Sequence, residues 1–485
     1  MGRRQDGTIT SAAQVIDLPL IGQPLQRGTN SAQDQRYVNV LFERVQNPLT
    51  GGESTYVFKR PCLENFSQPP AGAATARGLY GWNATGKIYS VFANKIYSNT
   101  TDLGVTLAGT SGRVWFAETP ATASEQILVI SDGADNYHIQ TNDTITQIDE
   151  TDDAQYPVSN LGPVVFFDDY IVQAQSDGEI WNTDPDNFDA WVSTALISGA
   201  MYGDALEAIT RQKDQLIAFG KFSTEFFFDN GTTPSPFLRI DSNALPIGLA
   251  SKNTLAQAGD IIMWVGESPS QGIGGRQVWR MEGLNKVVQV SLPAIERVLN
   301  AEGSSISSAS AWVETVAGHQ IYVLNLSSAD RTFVYDIGEK MWCEWSNTAT
   351  AKFPGAYATS LAGVVYVQDA TNGRIYKLLP TVYQDSGTNI TVTIVTDNYD
   401  FNIPQLKNQT GLWIAGDNTT GNLSVTESDD DYANFNTART INLALTRKYL
   451  PQGGSFDRRA YKLTYTDNYS LRLSKLFVKI EPSDE

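Results

Sequence analysis

One pattern recurs along most of the chain and constrains its fold more than any other feature. Between about residues 75 and 380, a β-rich run is followed by a short turn of Asp, Asn or Gly and by a second run that ends on an aromatic residue. Alternating apolar and polar residues on both sides of such a turn are typical of a β-hairpin. The seven copies of this pattern span residues 86–99, 126–140, 163–182, 213–229, 259–280, 318–336 and 363–377.

The copies are regularly spaced. Their closing aromatic residues are Tyr97, Tyr137, Trp181, Phe226, Trp279, Tyr335 and Tyr376. Successive members of this series are 40, 44, 45, 53, 56 and 41 residues apart. Four short strands and their turns use about 40–50 residues, which is the length of one propeller blade. The spacing therefore predicts a β-propeller, either with seven blades or with six blades of which one is closed from both ends of the repeat region.

The two ends of the chain lack this pattern. Beyond residue 385 the alternating strands are longer, which indicates a separate antiparallel β-sandwich. The first 70 residues contain two short strands, and two strands alone are only marginally stable. We expect an all-β chain in which a six- or seven-bladed propeller (73–382) is inserted in or attached to an antiparallel β-sandwich platform. The N-terminal strands (1–72) form part of that platform, and the C-terminal β-sandwich (383–485) completes it.

A single stretch has helical periodicity. From Pro293 to Gly303, the apolar residues Ile295, Val298 and Leu299 fall on one face of a helix, and the glycine marks its end. Such a helix is unusual within a propeller, and two interpretations stay open: it caps a blade, or it faces a neighbouring molecule.

The charge balance limits the partners that the chain can have. Its 53 acidic and 35 basic side chains give a net charge of −18, which disfavours a protein that binds nucleic acid tightly.

Other residue counts exclude further classes of site. Two cysteines cannot build a disulfide framework, and two histidines cannot build a site of three imidazoles. No stretch approaches about 20 uninterrupted apolar residues, so we expect a soluble, non-secreted chain without a membrane-spanning segment.

The motifs of common enzymes are missing from the sequence. The glycines at 272–275 lack the spacing of a dinucleotide-binding loop, and no Walker-type lysine follows a glycine cluster. Acidic side chains cluster at Asp184, Asp186 and Asp189, where calcium is one interpretation and solvated turns are the default. We expect no catalytic residues, no cofactor and no metal ligands, and hence no enzyme.

Several framework segments resemble those of a known family. They are Tyr37-Val38-Asn39-Val40, the run from Lys213 to Gly220 with Glu225-Phe226 after it, and Val334-Tyr335-Asp336 followed by Trp342-Cys343-Glu344-Trp345. In these segments and in the order of its domains, nearly the whole chain resembles the packaged-DNA stabilisation proteins, or tail nozzle (tail hub) proteins, of short-tailed bacteriophages.

The resemblance implies a structural virion protein, assembled in the host cytoplasm and located in the tail. Six copies would form a ring below the portal and its adaptor ring, and this ring would be the distal channel for genome ejection. It would help to retain packaged DNA and would offer surfaces to tail fibres or spikes. No catalytic residues carry over from the family.

A channel for DNA makes the acidic balance understandable. Six copies at −18 each carry about −108, and a wall that must pass duplex DNA should not bind it. Screening limits the repulsion to DNA within about 8–10 Å, so the acidic groups have to face the lumen to act. An equally open interpretation is that the charge only keeps a large assembly soluble. The candidate lumenal groups are Asp149, Glu150, Asp152, Asp153, Asp429, Asp430 and Asp431.

The alternative function is a propeller that binds or cleaves glycans at a cell surface. A glycoside hydrolase needs two carboxyl groups about 5–9.5 Å apart, and the sequence contains no motif that picks out such a pair. The scarcity of histidine also disfavours this class.

Overall fold

The computed structural model describes residues 2–3, 9–10, 13–21, 35–46, 53–185, 187–192, 197–198, 203–268, 275–283 and 286–482. These residues form strands with a single α-helix and short 3-10 turns, which confirms the all-β class. The chain divides into two compact units. One, here the repeat unit, contains Asn65–Asp330 and Pro354–Leu378. The other, here the terminal unit, contains Met1–Glu64, Arg331–Phe353 and Leu379–Glu485. The proposed boundaries after residues 72 and 382 stay predictions.

The repeat unit consists of small antiparallel sheets in which consecutive strands pair. The first three are sheet 1 (Ala76–Trp82, Lys87–Phe92, Lys95–Ser98, Thr101–Thr106), sheet 2 (Trp115–Glu118, Ile127–Ser131, Asn136–Gln140, Ile145–Ile148) and sheet 3 (Asn160–Phe167, Tyr170–Gln175, Glu179–Asp184, Asn187–Trp191, with Ile197–Ser198 beside the third strand). The next two are sheet 4 (Leu206–Gln212, Gln215–Gly220, Thr224–Asp229, Phe237–Arg239) and sheet 5 (Ala256–Ala258, Ile261–Gly266, Gln277–Met281, Val287–Gln289). The last two are hairpin 6 (Ser310–Val316, His319–Leu326) and sheet 7 (Gly355–Leu361, Val364–Asp369, Ile375–Leu379).

The repeated sequence pattern corresponds mainly to the second and third strands of these sheets. The copies at 86–99, 126–140, 213–229, 259–280 and 363–377 each form such a hairpin. The copy at 163–182 begins within the first strand of sheet 3 and ends in its third. The turns before two of the second strands, Ala317-Gly318 and Ala362-Gly363, have positive φ at both residues, as a type I′ hairpin turn requires.

The first strands of the seven sheets follow one another in space as they do in sequence. The strand Ala76–Trp82 contacts Trp115–Glu118, and contacts then continue to Asn160–Phe167 and Leu206–Gln212. Two hydrogen bonds connect sheets 4 and 5: the Thr210 hydroxyl donates to the Gln257 side-chain oxygen, and the Gln257 side-chain amide donates to the Arg211 carbonyl. The series continues through Ser310–Val316 and Gly355–Leu361 and returns to Ala76–Trp82, so the first strands close a ring.

Each neighbouring pair of sheets around most of this ring has its own apolar core. Sheets 1 and 2 enclose Trp82, Tyr89 and Tyr137, for example, and sheets 4 and 5 enclose Phe219 and Trp264. Similar clusters lie between sheets 2 and 3, between 3 and 4, and between 7 and 1. Face-to-face burial of β-branched and aromatic side chains therefore stabilises the unit sheet by sheet.

The predicted helix spans Pro293–Ala301 and lies between sheet 5 and hairpin 6 along the chain. It starts with Pro at its first turn and buries Ala294, Ile295 and Leu299. Short 3-10 segments lie at Asp241–Asn243, Lys252–Thr254 and Gly303–Ser308. In the described part of the chain, no helix is long and apolar enough to cross a membrane.

The terminal unit contains two larger groups of paired strands. The first runs in the order Arg331–Asp336, Met341–Trp345, Arg36–Val38, Val392–Val395, Ala460–Tyr465, Asn422–Ser428 and Arg439–Asn442. The second runs in the order Tyr449–Phe456, Lys407–Gly416, Arg472–Pro482, Glu53–Lys59 and Val40–Gln46, with Gln14–Pro19 also beside Arg472–Pro482. Two-residue pairs are Gly2–Arg3 with Ile9–Thr10 and Gln384–Asp385 with Thr388–Asn389.

N-terminal and C-terminal strands thus share the same sheets. Arg36–Val38 is antiparallel to Val392–Val395 and parallel to Met341–Trp345, while Glu53–Lys59 pairs with Arg472–Pro482. Along the sequence, the change from the terminal unit to the repeat unit after Glu64 falls within the strand Cys62–Ser67.

Candidate functional site

The ring of first strands surrounds a cavity of about 650 Å³. Because every sheet begins at this ring, each contributes side chains of its first strand or of the turn next to it. The charged and aromatic residues that line the cavity are Tyr80, Arg113, Trp115, Phe116, Glu118, Arg211, Lys213, Asp260, Trp312 and Glu314. A cavity of this volume is in the range that holds small ligands.

Arg113 lies just before the first strand of sheet 2. Its guanidinium carbon lies 4.1 Å from the Trp115 ring centroid and 5.4 Å from that of Tyr357. Its Nη1 donates to the carbonyl oxygens of Leu255 at 3.2 Å and Asn253 at 3.5 Å. Burial lowers the pKa of Arg113, because removing water disfavours the charged guanidinium.

Glu314 approaches the cavity from hairpin 6. Burial raises the pKa of its carboxyl group to about 7, and hydrogen bonds from Ser360 and from the Thr315 amide only partly oppose this shift. Near neutral pH this carboxyl group is therefore divided between its protonated and ionised forms. Two strands further around the ring, burial also raises the pKa of Tyr80, and the neighbouring Glu118 carboxylate raises it further.

Four of the predicted lumenal groups lie in the loop between sheets 2 and 3. Asp149 accepts hydrogen bonds from the amide and hydroxyl of Thr151, which hold its pKa below the usual value. Asp152 accepts from the Asp149 amide, and Asp153 accepts from the Trp191 amide at 2.5 Å. Glu150 is exposed. The structure therefore brings these four residues together in one loop, where at least three of them also stabilise its turns.

The other three predicted lumenal groups lie together in the terminal unit. Asp429 forms a two-pronged pair with Arg459, with both N–O distances at 2.7 Å. Asp431 pairs with Arg458 at 2.8 Å. Asp430 accepts hydrogen bonds from Asn434 and Ser428, which lower its pKa. Two arginines thus neutralise part of this cluster. Whether either cluster faces a channel stays a prediction.

Two of the three candidate calcium ligands, Asp184 and Asp189, lie among the described residues. Asp189 pairs with the buried His138 at 2.7 Å, and this interaction lowers the pKa of the aspartate. Asp184 ends the third strand of sheet 3, and Asp186 lies outside the described residues. Among the residues that are described, no group of three or more His, Cys, Asp and Glu side chains could hold a metal ion.

Sequence reasoning did not single out Arg113 or Glu314. Both lie at first strands, and the repeated pattern marks the second and third strands instead. A usable signal existed nonetheless: each is a lone charge beside apolar and aromatic residues, in Arg113-Val114-Trp115-Phe116 and Trp312-Val313-Glu314.

A protein-family model described as "Bacteriophage P22 Gp10, beta-propeller" matches residues 21–383, about three quarters of the chain. The chain belongs to this family. Proteins of the Gp10 family help to stabilise packaged DNA. Membership in this family makes the chain a structural bacteriophage protein, and this protein is associated with the virion. The resemblance seen in the sequence is confirmed at the level of this family.

Other comparisons add little to the family assignment. No curated protein sequence matches the chain. Among solved structures, a streptogramin B lyase is similar over 66% of this chain and 97% of its own, with 12% identity and a TM-score of 0.41. A catalytically inactive virginiamycin B lyase from Staphylococcus aureus with quinupristin is similar over 70% and 99%, with 11% identity and a TM-score of 0.41. Similarities at this level carry no conclusion about activity.

Proposed function

We propose that this Gp10-family protein forms the distal ring, or nozzle, of a short phage tail. The family match over residues 21–383 is the observation that carries the proposal. In this role six copies form a ring that docks onto the portal-proximal adaptor ring and presents surfaces to tail fibres or spikes. Packaged double-stranded DNA is retained behind the ring and passes through it on ejection without sequence-specific binding.

The architecture that we propose for this role is a seven-bladed propeller on a sandwich platform. Support for seven blades comes from the closed order of first strands in sheets 1–5, hairpin 6 and sheet 7. Support for the platform comes from the two larger strand groups of the terminal unit, in which N-terminal and C-terminal strands pair. The family assignment favours a structural role over an enzymatic one, and it does not favour a glycan-binding or glycan-cleaving protein.

The ring proposal can be tested by assembly. The purified protein is mixed with its adaptor ring, and the complex is sized by light scattering and imaged by electron microscopy. We expect a ring with sixfold symmetry at the distal end of the adaptor. A protein that stays monomeric beside the adaptor ring, and virions that keep their DNA when the protein is absent, would contradict the proposal.

The acidic lumen is a separate part of the proposal. Glu150 is exposed, and Glu64 is exposed outside both predicted lumenal clusters, so Glu150→Lys and Glu64→Lys are matched charge reversals. If the loop at Asp149–Asp153 faces the channel, Glu150→Lys increases the salt-sensitive affinity of assembled rings for duplex DNA, and Glu64→Lys leaves it unchanged. Equal effects of the two variants would show that the position of the charge does not matter.

A further inference from the structure

Arg113 differs from the three fully buried arginines among the described residues in how its charge is compensated. Arg77 donates through all three guanidinium nitrogens to four backbone carbonyls. Arg60 and Arg459 each form a two-pronged pair with an aspartate. Arg113 donates only through Nη1, and to carbonyl oxygens alone. Within the described residues, no carboxylate pairs with it.

The geometry around Arg113 leaves one edge of the guanidinium open. Trp115 stacks on it at 4.1 Å, and the Tyr357 ring lies 5.4 Å away. Nη1 is directed to the carbonyls of Leu255 and Asn253. Nε and Nη2 have no hydrogen-bond partner among the residues that the structure describes. This pair of donors is the planar fork that recognises the two oxygens of a carboxylate or phosphate.

The open edge belongs to a side chain that lines the cavity. Arg113 keeps some accessible surface, although burial is sufficient to lower its pKa. A side chain that borders a cavity has both properties, because protein surrounds most of it while the cavity leaves part of its surface accessible. The carboxyl groups of Glu118, Asp260 and Glu314 line the same cavity, and in the described part of the chain none of them lies within ion-pair distance of Arg113.

A buried cation without a counter-charge is unfavourable unless something compensates it. The cavity has space for a compensating molecule, with a volume of about 650 Å³. From the stacked guanidinium, its open edge and the cavity beside it, we propose that the cavity of the repeat unit binds a small oxyanion, a carboxylate or a phosphate, through Nε and Nη2 of Arg113. This site is independent of the proposed role in the tail.

The test measures binding to the full chain. Inorganic phosphate and acetate are titrated separately by calorimetry and by ligand-observed NMR, at an ionic strength held constant with sodium chloride. We expect saturable binding of at least one of them in the wild-type protein. The two anions distinguish the two kinds of oxyanion: the site accepts phosphates, carboxylates or both, according to whether phosphate alone, acetate alone or both of them bind. The proposal would be overturned if neither phosphate nor acetate bound saturably at concentrations up to about 10 mM. A dissociation constant above that limit corresponds to very weak recognition.

Two variants locate the site. Arg113→Gln should weaken binding by about tenfold or more, because hydrogen bonds to a charged group are lost. Arg211→Gln removes the same charge from an exposed residue that also lines the cavity, and it should change the affinity much less. Equal weakening in both variants would indicate general electrostatic attraction and would overturn the assignment to Arg113.

A third variant and a direct observation cover the case in which Arg113→Gln does not fold. Arg113→Lys keeps the positive charge but loses the planar fork, so binding should again weaken. In crystals of the wild-type protein soaked with selenate, anomalous density should appear beside Nε and Nη2 of Arg113. Density only at other positions, or none, would contradict the proposal.

Discussion

The guanidinium of Arg60 and the carboxylate of Asp385 form a two-pronged ion pair, with Nη2–Oδ2 at 2.6 Å and Nη1–Oδ1 at 3.2 Å. Arg60 also donates to the Asn39 side chain and to the Ser346 carbonyl. All four residues are buried and come from the three chain segments of the terminal unit. Burial alone would lower the pKa of Arg60, and the neighbouring carboxylate raises it above its usual value. This pair therefore joins segments that are far apart in sequence.

Loss of the Asp385 carboxylate should destabilise the protein strongly. Asp385→Ala leaves the Arg60 guanidinium buried without a counter-charge, which costs about 3–5 kcal/mol in the free energy of unfolding. The measurement is urea denaturation followed by tryptophan fluorescence. The control is Asp17→Ala, which removes an exposed pair with Lys475 and should cost less than about 1 kcal/mol. Similar losses in the two variants would contradict the importance of burial.

Glu344 should make the protein sensitive to acid. Burial alone would raise its pKa, but Arg36 and Arg331 on either side hold it below the usual value of 4.5. A carboxyl group with a lowered pKa contributes stability that is present above its usual pKa and is lost as the pH falls through the folded-state value. Glu344→Gln should therefore lower the free energy of unfolding by about 3 kcal/mol at neutral pH and by much less in acid.

The check for Glu344 is denaturation of wild type and variant at several pH values. Glu43→Gln serves as the control, because the Glu43–Arg472 pair is partly exposed and should contribute less than about 1 kcal/mol at any pH. A difference between wild type and Glu344→Gln that stays constant from neutral to acidic pH would show that the carboxylate charge is not responsible.

The all-β class and the helix were predictable, because both depend on local patterns. Alternation and turn residues such as Ala362-Gly363 mark hairpins, and the spacing of Ile295 and Leu299 marks the helix. First and fourth strands were harder to detect, because several have only three or four residues, such as Ala256–Ala258. Their positions depend on contacts with neighbouring sheets, which a single sequence does not contain.

The candidate site was not predictable for a related reason. Glu314 and Arg113 lie about 200 residues apart and line one cavity only because the first strands close a ring. The acidic clusters were visible in the sequence, but the pairing of Asp429 with Arg459 was not. Local charge density therefore overestimated the free negative charge of that cluster, since it could not show which side chains meet in space.

The two thiols should be unreactive in the folded protein. Cys62 and Cys343 are both buried and unpaired by disulfide. Burial raises the pKa of Cys62 to about 11 and raises that of Cys343 well above its usual value, so little thiolate is present near neutral pH. With Ellman's reagent we expect no rapid reaction of the native protein and reaction of both thiols in denaturant. Rapid reaction of either thiol under native conditions would mean that its surroundings open readily.

Glu314 should oppose folding as the pH rises. Its folded-state pKa of about 7 lies above the usual value of 4.5, so the folded protein binds a proton that the unfolded chain has already released between these values. The free energy of unfolding therefore falls across this interval as the carboxyl group ionises in its desolvated position. Glu314→Gln removes the titrating group, keeps a carbonyl oxygen for Ser360 and should be more stable than wild type by roughly 1–2 kcal/mol at about pH 8. At about pH 4 the two proteins should be equally stable, because Glu314 is then protonated in both states.

Urea denaturation across this range checks the prediction, with Glu118→Gln as a control at an exposed position on the same cavity. A constant difference, or a variant less stable than wild type at high pH, would mean that the ionised Glu314 carboxylate is better solvated or better hydrogen-bonded than its burial indicates.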